Sequence, residues 1–249
     1  MKILIDIGHP AHVHYFKNFI EIMNDRGHEF LVISRNKEIE HYLLDKLSIP
    51  YVSRGKGGSS FSEKILYLVR GTNLVYKEEK KFSPDLSISF ATMYPAISSK
   101  LLGIPHISIN DTEHAKLQHL ITNPFSEAIL TPECYKNDLG GKHFTFNGYM
   151  ELCYLHPNYF EPSSSVLDLL GINSFDKYVV MRFVSWNASH DKGQNGLALK
   201  MKKRAVEEFS KHAKVFISAE SDLPDGLESH RINLPPEKMH DALYYANLL

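Results

Sequence analysis

Three histidines stand together near the start of the chain, in Gly8-His9-Pro10-Ala11-His12-Val13-His14. An imidazole titrates near neutrality, so a histidine here can bind phosphate or act as acid or base. Metal binding is not expected. On a helix His12 and His14 would point about 200° apart, helical metal pairs are spaced four apart, and no carboxylate joins the stretch before Glu21. The structural alternative is that one histidine caps the helix that follows and another packs inside. A second constellation is Asn110-Asp111-Thr112-Glu113-His114, with two carboxylates and a histidine. Glu113 and His12 are the candidate general bases, and Asp111 and His114 the candidate substrate contacts. The alternative is that Asp111 or Thr112 caps a helix and Glu113 completes a capping box. A third is Arg182 followed by Ser185-Trp186-Asn187-Ala188-Ser189-His190-Asp191. Its hydroxyls and amides can donate to phosphate oxygens, Arg182 can add charge-assisted bonds, and Trp186 can stack on a sugar or base. The alternative is an ordinary turn with the indole packed on the domain edge. Ser189-His190-Asp191 is not a nucleophile triad, because sequence neighbours do not adopt that geometry.

These residues need a scaffold that brings loops to one side. The apolar run Ile3 to Ile7 ends at Gly8 and reads as a buried parallel strand. The loop 8–14 follows it, and a helical face, Val13, Phe16, Phe19, Ile20 and Met23, runs to Gly27. The same unit repeats: strands at 29–34, 51–52, 86–90, 106–109, 128–130 and 143–146, with helical patterns at 37–47, 61–81 and 92–102. Strands alternating with helices predict a parallel sheet, whose ligands bind at the carboxyl ends of the strands. Residues 147–165 carry Gly148, Pro157, Pro162 and three serines in a row, the texture of a linker. A second α/β unit then begins, with strands at 178–184 and 215–218, a short one at 231–232, and helices at 197–209 and 236–245. The domains expected are 1–150, a linker 151–165, and 166–249. The last residues resemble the start of a further strand, so the second domain is expected to be cut short, and this piece alone is expected to lack half of its nucleotide pocket and to be inactive.

Composition bounds the partners. Lys and Arg total 28 against 29 Asp and Glu, which gives no electrostatic case for nucleic acid. The two cysteines, Cys134 and Cys153, form no motif and suit a reducing compartment. Met1-Lys2 leads straight into a strand, so no cleaved leader is expected. No apolar run approaches the ~20 residues of a membrane span, and a cytoplasmic protein is expected. Arg54-Gly55-Lys56-Gly57-Gly58-Ser59-Ser60 lacks the order of a P-loop and reads as a mobile basic loop or a surface turn. Lys200-Met201-Lys202-Lys203-Arg204 is a solvated basic face that leaves room for peripheral contact with anionic lipid.

The stretches Asp6 to Phe16, Asn110 to Ala115 and Arg182 to Asp191 resemble an uncharacterised prokaryotic family of the glycosyltransferase-B (GT-B) superfamily. That family is related to UDP-N-acetylglucosamine 2-epimerases and to the lipid-linked GlcNAc transferase of peptidoglycan synthesis. The resemblance implies an α/β, GT-B-like fold of two Rossmann-like parallel-sheet domains. The first would hold the acceptor or reacting sugar, and the second the nucleotide-sugar. It implies an enzyme of surface polysaccharide synthesis with a nucleotide-sugar as substrate, no separate cofactor, and a carbohydrate or lipid-linked acceptor. Alternatives on the same fold are a UDP-sugar 2-epimerase and a non-catalytic nucleotide- or carbohydrate-binding module. Under the resemblance Gly8, His9, His12, His14, Asp111, Glu113 and His114 serve the first domain, and Arg182, Ser185, Trp186, Asn187, Ser189 and His190 the donor. Glu113 matches the Glu of the epimerase motif H-x-E-A-G, and the chain departs from the rest of it.

Overall fold

The structure is a computed structural model that describes residues 1–58, 60–184 and 196–249. The described chain divides into two compact units, Met1–Phe160 and Glu161–Leu249.

In the first unit the chain alternates strands and helices: β1 (Lys2–Ile7), α1 (Pro10–Asp25), β2 (Glu29–Ser34), α2 (Glu40–Lys46), β3 (Tyr51–Ser53), α3 (Phe61–Phe82), β4 (Leu86–Phe90), α4 (Met93–Leu102), β5 (His106–Ile109), α5 (Lys116–Thr122), β6 (Ala128–Pro132), β7 (His143–Phe146) and α6 (Leu152–Leu155). The seven strands form one parallel sheet in the order β3-β2-β1-β4-β5-β6-β7. The order reverses between β1 and β4, and a crevice at the carboxyl ends of a sheet forms at such a switch point. Helix starts and stops follow local chemistry. The Nδ1 of His9 caps α1 by accepting from the Ala11 amide at 3.2 Å, with Pro10 in the first turn. Ser60 and Glu63 close a capping box on α3. Gly103 ends α4 at φ 70°, a backbone that favours glycine. Within 151–165, the expected linker, α6 packs on α1, where Asn18 Nδ2 donates to the Cys153 carbonyl at 2.8 Å.

The two faces of this sheet differ in kind. Side chains alternate along a strand, so Ile3, Ile5 and Ile7 share a face. They pack with Val13, Phe16, Ile20, Val32, Leu43, Leu44 and Ile88 in an apolar core. On the other face lie Leu4 and Asp6, and in register with them Ser87 and Ser89, then His106 and Ser108. All of these are buried. Two of the polar ones join a chain of hydrogen bonds: the Ser89 hydroxyl lies 3.0 Å from His106 Nε2, and His106 Nδ1 lies 3.0 Å from the Ser126 hydroxyl. Burial pushes the His106 pKa down to about 3, so its ring is neutral.

Asp6 is the costliest group on that face. Arg54, in the loop after β3, clasps it with two bonds, Nε to Oδ1 at 2.8 Å and an Nη to Oδ2 at 3.1 Å. Arg54 also donates to the Ile7 carbonyl at 3.1 Å and the Tyr67 hydroxyl at 3.1 Å, and stacks 4.1 Å from the Tyr94 ring centre. The Thr92 hydroxyl donates to Asp6 Oδ2. Burial raises the Asp6 pKa, and Arg54 and Thr92 oppose that shift. Burial is also the largest influence against the charge on Arg54, and Asp6, Tyr67 and Tyr94 together overcome it and leave the Arg54 pKa raised. Arg54 is therefore a fixed, buried residue and not part of a mobile loop. A carboxylate in the strand demanded a cation there.

The second unit holds α7 (Ser165–Leu170), β8 (Tyr178–Phe183), α8 (Leu199–Ser210), β9 (Lys214–Ala219) and α9 (Met239–Tyr245). β8 and β9 pair in parallel. Val166, Leu170, Tyr178, Val180, Phe216 and Ala242 form one core and Phe183, Val206, Val215 and Ile217 another. Leu248 bridges Val179 in parallel, as expected of a strand beginning there, and the segment expected as a strand at 231–232 makes one bridge, Arg231 to Ile217. Among the described residues no helix is long and apolar enough to cross a membrane.

Two outcomes are expected. Arg54→Ala leaves the Asp6 charge buried and unpaired, which costs about 3 to 5 kcal/mol; Asp6→Asn combined with Arg54→Met should cost less than Arg54→Ala alone. Urea unfolding of the three proteins measures this. The second concerns Glu79 on α3, which accepts from the Ser99 hydroxyl. Burial raises its pKa to about 7 against the pull of Ser98 and Ser99. A raised carboxyl favours the folded state while protonated, so this stability is full below about pH 4.5 and is lost as pH rises through about 7. Relative to Glu79→Gln, the wild type should lose roughly 3 kcal/mol between those values. Unfolding midpoints of both proteins across that range test it, and parallel curves would defeat it.

Candidate functional site

The loops at the switch point carry the first constellation. The helix α1 begins at Pro10, earlier than the expected Val13, because His9 and Pro10 together start it. His12 and His14 therefore sit in its first turns and diverge. The three histidines do not form one cluster. His9 is the cap, His14 packs 5.3 Å from the Tyr154 ring on α6, and His12 turns toward β4, 4.7 Å from the Phe90 ring.

The state of His12 is set by its neighbours. The Gly8 amide donates to its Nδ1 at 3.3 Å. An accepting Nδ1 places the ring proton on Nε2. Burial, then the positive charges of His9, Lys37 and Arg54, push its pKa down to about 3. The titration near neutrality expected from its type is replaced by a neutral ring with one N–H to donate. Gly8 has a steric role as well: a Cβ there would lie 3.2 Å from the Thr92 methyl. At the end of β4, Ala91 holds φ 50°, an uncommon backbone for a residue with a Cβ. That turn separates Phe90, against His12, from Thr92, on Asp6.

The second constellation lies after β5. The helix α5 is capped by Ala115 with no side-chain bond, so neither Asp111 nor Thr112 caps it and Glu113 completes no capping box. Asp111 accepts from the Thr112 hydroxyl at 2.7 Å. Burial raises the Asp111 pKa, Thr112 opposes this, and the charge of Glu151 adds to it. Glu113 Oε1 accepts from the Lys136 amide at 3.0 Å, which ties the loops after β5 and β6 together. His114 is exposed. Two cavities flank Glu113. One of about 470 Å³ is lined by Asp111, Thr112, Cys134, Lys136, Tyr149 and Glu151 among others. The other, of about 600 Å³, is lined by His119, Leu120, Asn123, Asn137 and Lys142 among others. Glu113 and Tyr135 border both.

Sequence reasoning missed several residues here. Tyr15 bridges the constellations: its ring lies 5.1 Å from Phe90, and burial, then Asp111 and Glu151, raise its pKa. His119 is buried, with Nε2 2.8 Å from the Thr112 carbonyl and 3.3 Å from the Tyr135 hydroxyl. Its position nine residues after Asn110 carried no motif. Asp6, alone among aliphatics in its strand, was the readable signal, because a charge in a buried run requires a partner. In the second unit Arg182 is exposed and pairs with Glu220 at 2.7 Å. Ser185, Trp186, Asn187, Ser189 and His190 lie outside the described residues.

The fold has known relatives. The UDP-GlcNAc 2-epimerase of Neisseria meningitidis, solved bound to UDP-GlcNAc, is similar with a TM-score of 0.64 and 11% identity, covering 100% of this chain and 71% of that one. The UDP-GlcNAc 2-epimerase of Methanocaldococcus jannaschii, solved with UDP-GlcNAc and UDP, gives 0.62 and 15%, covering 98% and 69%. MurG of Acinetobacter baumannii gives 0.52 and 10%, covering 100% and 67%. These likenesses show an α/β fold of GT-B type. In sequence, an uncharacterised protein of M. jannaschii is 25% identical over 190 residues, which are 73% of this chain and 56% of that protein, so the match spans just over half of the relative's length. The model of the family described as "Protein of unknown function (DUF354)" matches residues 1–220, and the chain belongs to that family.

Proposed function

We propose that the protein is a nucleotide-sugar-dependent, glycosyltransferase-like enzyme of surface polysaccharide synthesis, working in the cytoplasm without a separate cofactor. The observation that carries this reading is the pairing of functions at one end of one sheet. The neutral His12 offers a donor at the switch point, and Glu113 offers a carboxylate between two cavities after β5. Similarity to enzymes solved with UDP-GlcNAc supports the substrate class. In this reading Glu113 is the general base for the acceptor hydroxyl, and Asp111 and His114 orient that acceptor, a carbohydrate or a lipid-linked one. The Nε2–H of His12 binds an oxygen of the reacting sugar or its phosphate, assisted by the backbone at Gly8 and by His9. His14 supports α1 against α6. Arg182 with Ser185, Trp186, Asn187, Ser189 and His190 serves the donor diphosphate on the second unit.

A second reading is a UDP-sugar 2-epimerase, favoured by Glu113 at the position of the epimerase-motif glutamate. There Glu113 would remove the C2 proton instead of a hydroxyl proton. The two part on product: transfer moves the sugar onto an acceptor and frees the nucleoside diphosphate, and epimerisation inverts C2 of the sugar.

Calorimetric titration with UDP-GlcNAc and UDP tests binding, and NMR of the sugar products tests the reaction. Glu113→Gln should keep binding and lose about 10²- to 10⁴-fold in turnover. His12→Ala should weaken binding about tenfold, and His12→Gln, which retains an N–H donor, should weaken it less. Since His12 is already neutral, binding between pH 5 and 8 should show no step removed by His12→Gln. Failure of the full-length protein to bind any nucleotide-sugar, or full turnover by its Glu113→Gln variant, would overturn the proposal.

A further inference from the structure

The helix α3 is 22 residues long, about 33 Å, and only its second part is built into the fold. From Gly71 onward it packs on the sheet and α4. Gly71 meets the Tyr94 ring so closely that a Cβ would fall 2.9 Å from it, and Val75 and Glu79 are buried. None of the ten residues from Phe61 to Arg70 is buried.

This free part is not polar. Phe61 is 80% exposed, Ile65 49%, Leu66 46% and Val69 62%. At about 100° per residue these four share one stripe. Lys64 and Arg70, both exposed, fall about 120° to either side of its centre. Lys56, also exposed, adds a third cation just before the helix, and the acidic Glu63 is engaged in the capping box. A stripe of large apolar side chains in water is unfavourable without a partner. A helix with such a stripe flanked by long basic side chains lies in the plane of an anionic lipid surface, its stripe among the acyl chains and its cations at the headgroups. The local excess of cations sits in a chain whose formal net charge is −1, so the attraction comes from where the charges stand and not from their total.

Position strengthens the assignment. α3 follows β3, so its first turns stand at the carboxyl end of the sheet, the end that carries Gly8 and His12. The capping box holds that end helical without a partner. Tyr67 ties the helix to the site scaffold by accepting from Arg54 and donating to the Gly55 carbonyl at 3.3 Å. We propose that Phe61, Ile65, Leu66 and Val69, with Lys56, Lys64 and Arg70, form a docking surface for an anionic membrane at the mouth of the candidate site. The proposal does not depend on the nucleotide-sugar reading.

Co-sedimentation with vesicles tests it, using phosphatidylcholine alone and phosphatidylcholine with one third phosphatidylglycerol. The wild type should sediment with the anionic vesicles and not with the neutral ones, and high salt should release much of it. The triple substitution Phe61→Ser, Ile65→Gln and Val69→Gln should weaken binding about tenfold or more. Because these side chains are exposed, the thermal midpoint should not move. Lys64→Glu with Arg70→Glu should abolish the preference for anionic vesicles. Absence of binding to either vesicle, or equal binding by wild type and triple variant, would overturn the proposal. So would a concentration-dependent dimer that the triple variant abolishes in the absence of vesicle binding, since the stripe would then face a second copy.

Discussion

The Asp6–Arg54 ion pair is the constraint on which the first unit depends. A carboxylate buried in the middle of a parallel sheet costs several kcal/mol unless its charge is met. Here the partner comes from 48 residues away, and a bidentate clasp fixes both its distance and its plane. One guanidinium thereby locates four elements. It holds the end of β1 through Asp6 and Ile7, the loop after β3 through its own backbone, α3 through Tyr67 and α4 through Tyr94. Thr92 closes the same carboxylate from the turn after β4. The two strands flanking the switch point are thus bound by polar contacts at the level where their loops diverge.

That arrangement decides what His12 can do. With the Ile7 carbonyl held by Arg54, the next amide, Gly8, points to His12 Nδ1. The same Arg54 contributes a positive potential that helps to keep the imidazole neutral. Burial is the main cause of that neutrality, and His9, Lys37 and Arg54 add to it. A histidine fixed as a neutral donor needs no reorganisation to meet an oxygen of its ligand, whereas a base with so low a pKa would hold a proton weakly. Glu113 is the contrasting group, a carboxylate bonded to a backbone amide beside open space.

The strands and their order along the chain were legible because apolar runs and helical periods are local. The strand 106–109 was read with its observed limits, and Pro10–Asp25 differs from its reading mainly where His9 and Pro10 start it early, its end moving by one residue. The alternation Leu86-Ser87-Ile88-Ser89-Phe90 carries the period of a strand, yet it gives no sign that its serines are buried. Ser89 is accommodated there because His106 and Ser126 complete a chain of hydrogen bonds, and such pairing across different loops is not local. Arg54 failed for the same reason: among glycines it looked mobile, and only Asp6 makes it fixed. In the candidate site, Glu113 and His12 were singled out by type and place. The uncapped start of α5, the separate destinations of the three histidines and the role of Tyr15 required the third dimension.

The asymmetry of the sheet ties these points together. One face is aliphatic and packs α1 and α2 by area alone, a non-directional attraction that tolerates exchange among similar shapes. The other face, under α3 and α4, carries Asp6, Ser89, His106 and Ser108, whose hydrogen bonds are directional and fail if the partners shift. Small hydroxyl residues also let helices come close, as Gly71 does against Tyr94. The polar face therefore fixes orientation where the apolar face supplies driving force. The loops of the candidate site emerge from strands that carry the polar face, and α3 leaves it carrying an apolar stripe into solvent. A helix gripped by directional contacts along its second part can hold its first part in a defined direction, and that is what a surface presented to another phase requires.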